Sequence, residues 1–313
     1  METFVSTLSK ITLFIFALLC FQNIALAEKD AEKDQQAASQ KANKKSNATT
    51  AVAPIAVPTP VALTEQYKDD LKHYLPATKV KPILVGAQEY ITLVNENISP
   101  NSKGVAILVP DWQQGAVNPK AISFLQQALP KQGWTTISVQ PNAKPDNYPS
   151  TALKLTAQIE ENKTCIDDYK TSFTAMVNAI SDKAQEYPGI VIMVVQGNHG
   201  AILMDILDSN DSLQAPNAII LLSSYLLTGD KLLDEGNSQF AKALANSEPP
   251  VLDLYLKHDN AIVIAKAPQR LALAKQEMKV YYRQRQLNNT AMGFYPEQAL
   301  LSQINSWLKS IGW

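Results

Sequence analysis

From Gly104 onward the chain alternates short apolar runs with segments of helical period, a pattern that folds as a sheet wrapped by helices. Gly104–Val109 is a continuous apolar run stopped by Pro110, as expected of a strand buried on both faces. The spacing then predicts a helix over Pro119–Leu129, a strand over Thr135–Val139, a helix over Lys163–Glu186 and a strand over Gly189–Val195. It continues with a helix over Ala201–Leu207, strands over Ala218–Leu222 and Val251–Leu256, and a helix over Ile262–Gln276. A strand over Val280–Arg285 and a helix over Pro296–Ser310 complete the series. Upstream, an amphipathic helix is expected over Thr64–Tyr74, followed by strands at Ile83–Val85 and Tyr90–Val94 joined by a hairpin turn at Gly86-Ala87-Gln88. A leading antiparallel hairpin followed by parallel βαβ units makes the expected fold class α/β, with a mostly parallel sheet and helices on both faces.

Composition narrows the function. With 28 Lys+Arg against 29 Asp+Glu the net charge is -1, which disfavours a nucleic-acid partner. Hydrophobic residues make up 46%, enough for a core, while 11 Gly in 313 residues disfavour a Gly-rich phosphate loop. Lys10, the apolar run Ile11–Phe21 and Ala25-Leu26-Ala27 together read as a secretory signal over residues 1–27, which implies a periplasmic or secreted protein. The run is shorter than the ~20 apolar residues of a spanning helix, so no transmembrane segment is expected after cleavage. A lipoprotein signal would use Cys20, but Leu19 stands before it where such signals carry a small residue. Cleavage leaves Cys165 as the single thiol, without an internal disulfide partner. Residues 28–61, charged and polar at first and then rich in Ala, Val and Pro, read as a disordered tether ahead of one domain at 62–313.

Three stretches carry a family resemblance. Val194-Val195-Gln196-Gly197-Asn198-His199-Gly200-Ala201, at a strand-to-helix junction, resembles the nucleophile elbow of the α/β-hydrolases, with Asn198 aligned to the serine and Gln196 to the first glycine of G-x-S-x-G. Pro250–Asp259 resembles the strand and loop that deliver the acid, with Asp259 at that position. Asn288–Phe294, before the last helix, resembles the histidine loop, with Met292 or Gly293 where the histidine belongs. The amide nitrogen of Asn198 has a delocalised lone pair and is no substitute for a serine oxygen. Two of three triad members are thus absent, and a triad acts as a unit: removing it forfeits a factor of ~10⁶ in turnover. With its secretory signal, the strand GVAILVPDW, the segment LPKQGWTTISVQP and the terminal INSWLKS helix, the chain resembles an uncharacterised bacterial domain-of-unknown-function family of α/β-hydrolase type found in Gram-negative secreted proteins. The resemblance implies an α/β-hydrolase-like fold and an envelope location, and implies no reaction.

Other residues that could carry chemistry belong at the carboxyl ends of the strands, where open α/β sheets bind ligands. Asp111 and Trp112 follow the first parallel strand, Asn198, His199 and Gly200 the elbow strand, and His258 and Asp259 a later one. His199, His258, Asp259 and Asp111 have the ligand types of a zinc site, yet the side chain after the nucleophile position normally points away from the cleft, so no metal and no cofactor is expected. Ser223 and Ser224 end the strand Ala218–Leu222, and a displaced nucleophile there, with His199 or His258 as base and Asp259 as acid, is the catalytic alternative. A serine pair capping the following segment is the simpler reading. Cys165 is expected to open a helix, with Glu160, Glu161, Asp167 and Asp168 near its positive end. Lys279–Arg285 is basic and aromatic, which suits a glycan or phosphate contact, but its alternation is better explained by a strand with Val280 and Tyr282 inward. The expectation is a catalytically degenerate envelope protein that binds an unidentified small molecule or envelope component, with an esterase-like hydrolase as the alternative.

Overall fold

The computed structural model describes residues 60–209, 213–228 and 233–313; the expected signal segment, and the tether up to residue 59, lie outside the described residues. Helix α1 (Leu63–Tyr74) leads into the hairpin of β1 (Val80–Val85) and β2 (Gln88–Asn95), antiparallel as expected. The chain continues through β3 (Gly104–Val109), α2 (Ile122–Ala128) with a closing 3-10 turn at Leu129–Gln132, β4 (Trp134–Val139) and α3 (Leu155–Ala184). Then come β5 (Ile190–Gln196), α4 (Asn198–Ser209), β6 (Ala218–Leu222), α5 (Leu233–Asn246), β7 (Val251–Leu256), α6 (Ala261–Gln276), β8 (Tyr282–Leu287) and α7 (Glu297–Ser310). The eight strands form one sheet in the order β1-β2-β4-β3-β5-β6-β7-β8, parallel from β4 to β8.

The apolar runs form central strands because each successive side chain finds a helix on its own side of the sheet. Ile107, Val195, Leu221 and Val251 face Phe173, Val177 and Ile180 of α3, Leu203 of α4 and Phe240 of α5 in one core. Leu108, Val194, Ile220 and Leu254 face Ile122 and Leu125 of α2 and Leu300, Ile304 and Trp307 of α7 in the other. Leu71 of α1 covers Ile91 and Leu93 of β2. The chain reverses direction across the sheet around β3, which pairs with β4 on one side and β5 on the other. That reversal opens a crevice at the carboxyl ends of β3 and β5.

Besides shifts of a few residues at other element ends, three elements differ from the sequence reading in ways that matter. Helix α3 begins at Leu155, not Lys163, so Cys165 lies well inside it and no acidic residue stands in its first turn. A helix N-terminus therefore has no effect on that thiol. Helix α5 was not anticipated, because Gly236-Asn237-Ser238 reads as a break, yet Phe240, Ala241, Ala243 and Leu244 bury against the sheet at helical spacing. The last strand starts at Tyr282 and not Val280, because Met278 (φ +50°) and Tyr281 (φ +59°) are left-handed and interrupt the extended run. Val280 is accordingly exposed, while Tyr282 and Gln284 turn to the α6 side and donate to Asp253 at 3.0 and 2.9 Å.

Asp253 and Arg270 are both fully buried, with Arg270 Nε 2.8 Å from Asp253 Oδ2 and its guanidinium 5.5 Å from the Phe240 ring centre. Removing one partner strands the other charge in the core. Arg270→Met is expected to cost about 3–5 kcal/mol in denaturant unfolding. The double variant Asp253→Leu/Arg270→Met is expected to recover most of that loss, and equal costs for the single and the double variant would show the pair to be uncoupled.

Candidate functional site

The register aligns the strand ends that supply the site. Val109 of β3 pairs with Val195 of β5, Gln196 with Leu222 of β6, and Leu222 with Leu254 of β7. The residues that follow these ends, Asp111, Asn198, Ser223 and Asp259, therefore share one edge of the sheet.

At the end of β5 the backbone turns through Gly197, whose φ is +60°, and helix α4 begins at Asn198. A left-handed residue between strand and helix is the geometry of a nucleophile elbow. The nucleophile position is thus Gly197, one residue earlier than the Asn198 expected from the motif. Asn198 is the residue after the nucleophile, whose backbone N–H is an oxyanion-hole donor in the hydrolase arrangement. Here that N–H donates to Asp111 Oδ1 at 2.8 Å. Asn198 Nδ2 also approaches its two carboxylate oxygens at 3.2 and 3.4 Å. A Cβ built on Gly197 would stand 2.4 Å from Asp111 Cγ and 2.6 Å from Oδ1. The Asp111 side chain therefore occupies both the oxyanion position and the space of the nucleophile side chain. Burial raises the Asp111 carboxyl above its usual range, opposed first by the Asn198 backbone bond and less by the Asn198 side chain, the Trp112 N–H and the charge of Lys120.

His199 points away from this crevice and is fully buried. Its ring stacks on Phe173 and Tyr169 at centroid distances of 4.7 and 5.8 Å, with Trp112 edge-on at 6.3 Å. Nδ1 lies 2.5 Å from the Pro110 carbonyl and Nε2 2.6 Å from the Tyr169 hydroxyl. A carbonyl only accepts, so Nδ1 carries the proton and the neutral ring accepts from Tyr169. Gly200 is the point where α4 meets the β6 end: a Cβ there would sit 2.0 Å from Ser224 Oγ, which is itself buried.

Ser223 and Asp259 come together, as the sequence alternative required, but without a histidine. Ser223 is left-handed (φ +48°), and its Oγ lies 2.5 Å from Asp259 Oδ2 and 2.5 Å from the Tyr295 hydroxyl. Asp259 also accepts from the N–H groups of Leu256 and Asn260, both at 2.8 Å. The His258 ring is exposed and makes no hydrogen bond to Ser223, so the base role suggested for it has no contact behind it. Met292 is 69% exposed at the rim. The residue that follows that loop and reaches Ser223 is Tyr295, which the sequence reading missed; it is buried, and burial followed by the charge of Asp259 drives its hydroxyl far above the usual range. Its one sequence signal is a tyrosine immediately before the Pro296 that caps α7. Tyr225, near Asn198 and Asn260, has its hydroxyl raised first by burial and then by the charge of Asp111. Among the described residues no group of three His, Cys, Asp or Glu side chains is placed to hold a metal ion, and His199, His258, Asp259 and Asp111 do not converge.

The chain belongs to the DUF3530 family of proteins of unknown function. The family's sequence signature matches residues 12–310. No curated protein matches the chain in sequence. Among solved structures, the dienelactone hydrolase of Anabaena variabilis is similar at 11% identity and a TM-score of 0.51, covering 74% of this chain and 96% of that one. Esterase 2 of Thermogutta terrifontis is similar at 13% identity and a TM-score of 0.53 over 76% and 95% of the two chains. Est1E of Butyrivibrio proteoclasticus is similar at 11% identity and a TM-score of 0.51 over 74% and 99%. These likenesses establish the α/β-hydrolase fold and leave activity to the residues of this DUF3530 protein.

Two predictions follow from the geometry at the elbow. Gly197→Ala is expected to destabilise the DUF3530 domain by about 2 kcal/mol or more through its left-handed φ and the Asp111 clash. The cost should fall in an Asp111→Ala background, leaving mainly the backbone component; equal costs in the two backgrounds would mean that the carboxylate does not fill the site. For His199, burial lowers the pKa from 6.5 to about 4, with the bond to the Pro110 carbonyl opposing. The unfolded state then binds the proton more readily, so stability is lost as pH falls from about 6.5 towards 4, by up to about 3 kcal/mol. Asp111, with its raised pKa, contributes the opposite sign at the acid end. The difference in denaturation midpoint between wild type and His199→Phe, followed over that window, isolates the histidine.

Proposed function

We propose that this protein is a catalytically silent α/β-hydrolase-fold domain that acts in the bacterial envelope by binding a ligand or partner. The observation that carries the reading is Asp111, whose carboxylate accepts the Asn198 N–H at 2.8 Å where a reacting ester would place its oxyanion. Glycine at position 197 offers no nucleophile, and the three described histidines, His73, His199 and His258, make no bond to a serine hydroxyl. An envelope location is supported by Lys10, the apolar run Ile11–Phe21 and the Ala25-Leu26-Ala27 site. No described helix is long and apolar enough to cross a membrane.

One observation favours a second reading. Ser223 combines a left-handed backbone with a hydroxyl that donates to Asp259, which suits a displaced nucleophile of an esterase-like hydrolase. Hydrolysis of short-chain nitrophenyl esters by the secreted form, beside Ser223→Ala and Asp259→Ala variants, separates the two. The silent reading expects rates equal to buffer for all three proteins. Saturable turnover abolished in Ser223→Ala would overturn it in favour of the second.

A further inference from the structure

A second place on the molecule has the makings of a binding site. Helices α3, α4 and α5 and the segment after β6 enclose an open cleft of about 310 Å³ on the outer side of α4. That is the lower end of the range for small-molecule pockets. None of Asp111, Asn198, Ser223 and Asp259 lines it, so binding there does not depend on whether the strand ends are catalytic. Its floor is apolar, formed by Ile166, Ala201, Ile202, Leu226 and Phe240. The apolar stripe extends along α3 to Ile159 and Leu155, which recur at helical spacing and are each 40% exposed. The apolar floor thus runs out of the cleft onto an exposed ledge, a shape that suits an elongated ligand.

Three polar groups at the α3 end of the cleft, Asn162, Tyr148 and Lys163, are donors that lack an acceptor. Asn162 is 6% exposed; its Oδ1 accepts the Ser150 N–H at 2.6 Å, which turns Nδ2 away from that loop, and Nδ2 has no partner. Tyr148 is 3% exposed, its ring is held edge-on by Trp112 at 5.7 Å, and its hydroxyl makes no hydrogen bond among the described residues. Lys163, exposed at the mouth, pairs with no described carboxylate, whereas Lys170 is already neutralised by Asp205 and Asp167. A buried amide without a partner costs stability, and an incoming acceptor removes that cost. Asp167 and Asp205, which share Lys170, and Glu235 on the α5 wall also line the cleft, so the sign of the ligand's head group decides between the Lys163 end and these carboxylates.

We infer that this cleft binds a single-chain amphiphile with an anionic head, the chain lying on the Ile166–Ile202–Phe240 floor and the head accepting from Tyr148, Asn162 and Lys163. The test is calorimetric titration of the purified domain with hexanoate, octanoate and decanoate below their micellar concentrations, with decanol and decyltrimethylammonium as head-group controls. Affinity is expected to rise about fourfold per methylene, the value of burying ~0.8 kcal/mol of CH₂. Decanoate should bind at least tenfold more tightly than either control. Lys163→Met and Tyr148→Phe, one exposed and one conservative, should each weaken decanoate several-fold and leave decanol unchanged. Absence of saturable binding across the series would overturn the inference. So would decyltrimethylammonium binding as tightly as decanoate, or decanoate affinity indifferent to both substitutions.

Discussion

The structure of the site depends on one carboxylate held by a backbone N–H group. Asp111 follows β3, Asn198 follows β5, and these neighbouring parallel strands bring the side chain of one to the N–H of the other at 2.8 Å. In a hydrolase the same donor waits for charge that develops only in the transition state. Here the Asp111 carboxyl already accepts the Asn198 N–H. Gly197 completes the arrangement, because any Cβ at its left-handed position would collide with Asp111. Glycine at the elbow and aspartate after β3 are therefore one feature and not two.

The remaining polar groups at the strand ends are tied down in the same manner. Asn198 spends its amide on Asp111 and its Oδ1 on the Leu227 N–H at 2.6 Å, fixing the segment that leaves β6. Asp259 spends its oxygens on Ser223 and on two backbone N–H groups, and Tyr295 closes over the serine. His199, the one imidazole near the elbow, is spent on Pro110 and Tyr169 within an aromatic stack. These groups serve as mutual hydrogen-bond partners, which is how a buried polar cluster is satisfied in a low-dielectric interior.

How far the sequence could be read follows from where burial dominates. Strands β6 and β7 were legible residue for residue, since Ala218–Leu222 and Val251–Leu256 are apolar runs between breakers and each is sandwiched by helices. The hairpin of β1 and β2 and the helices on both faces followed from the same periodicities. Helix α5 was hidden by Gly236-Asn237-Ser238, whose local preference is overridden by Phe240 and Leu244 packing on the sheet. The start of β8 was hidden because left-handed φ at Met278 and Tyr281 leaves no mark in a run of β-prone residues. At the site, the residues that meet were largely named in advance, but two roles were displaced. A motif read as letters put Asn198 at the nucleophile, whereas the backbone puts Gly197 there; and the loop expected to present Met292 is followed by Tyr295, which reaches Ser223 instead. Both displacements are matters of φ at Gly197 and of the reach of Tyr295 to Ser223 across 72 residues of chain, which no local pattern encodes.

The occupation of the oxyanion position is tested most directly by reaction with an organophosphorus probe, which phosphylates activated serines and needs that hole to do so. The folded domain would be incubated with an excess of an alkyl fluorophosphonate and its intact mass recorded over hours. An unchanged mass is expected, because Asp111 fills the hole and no serine meets an imidazole. A stoichiometric adduct, mapped by peptide analysis to Ser223 or to any serine of the strand ends, would contradict it and restore an enzyme to the fold.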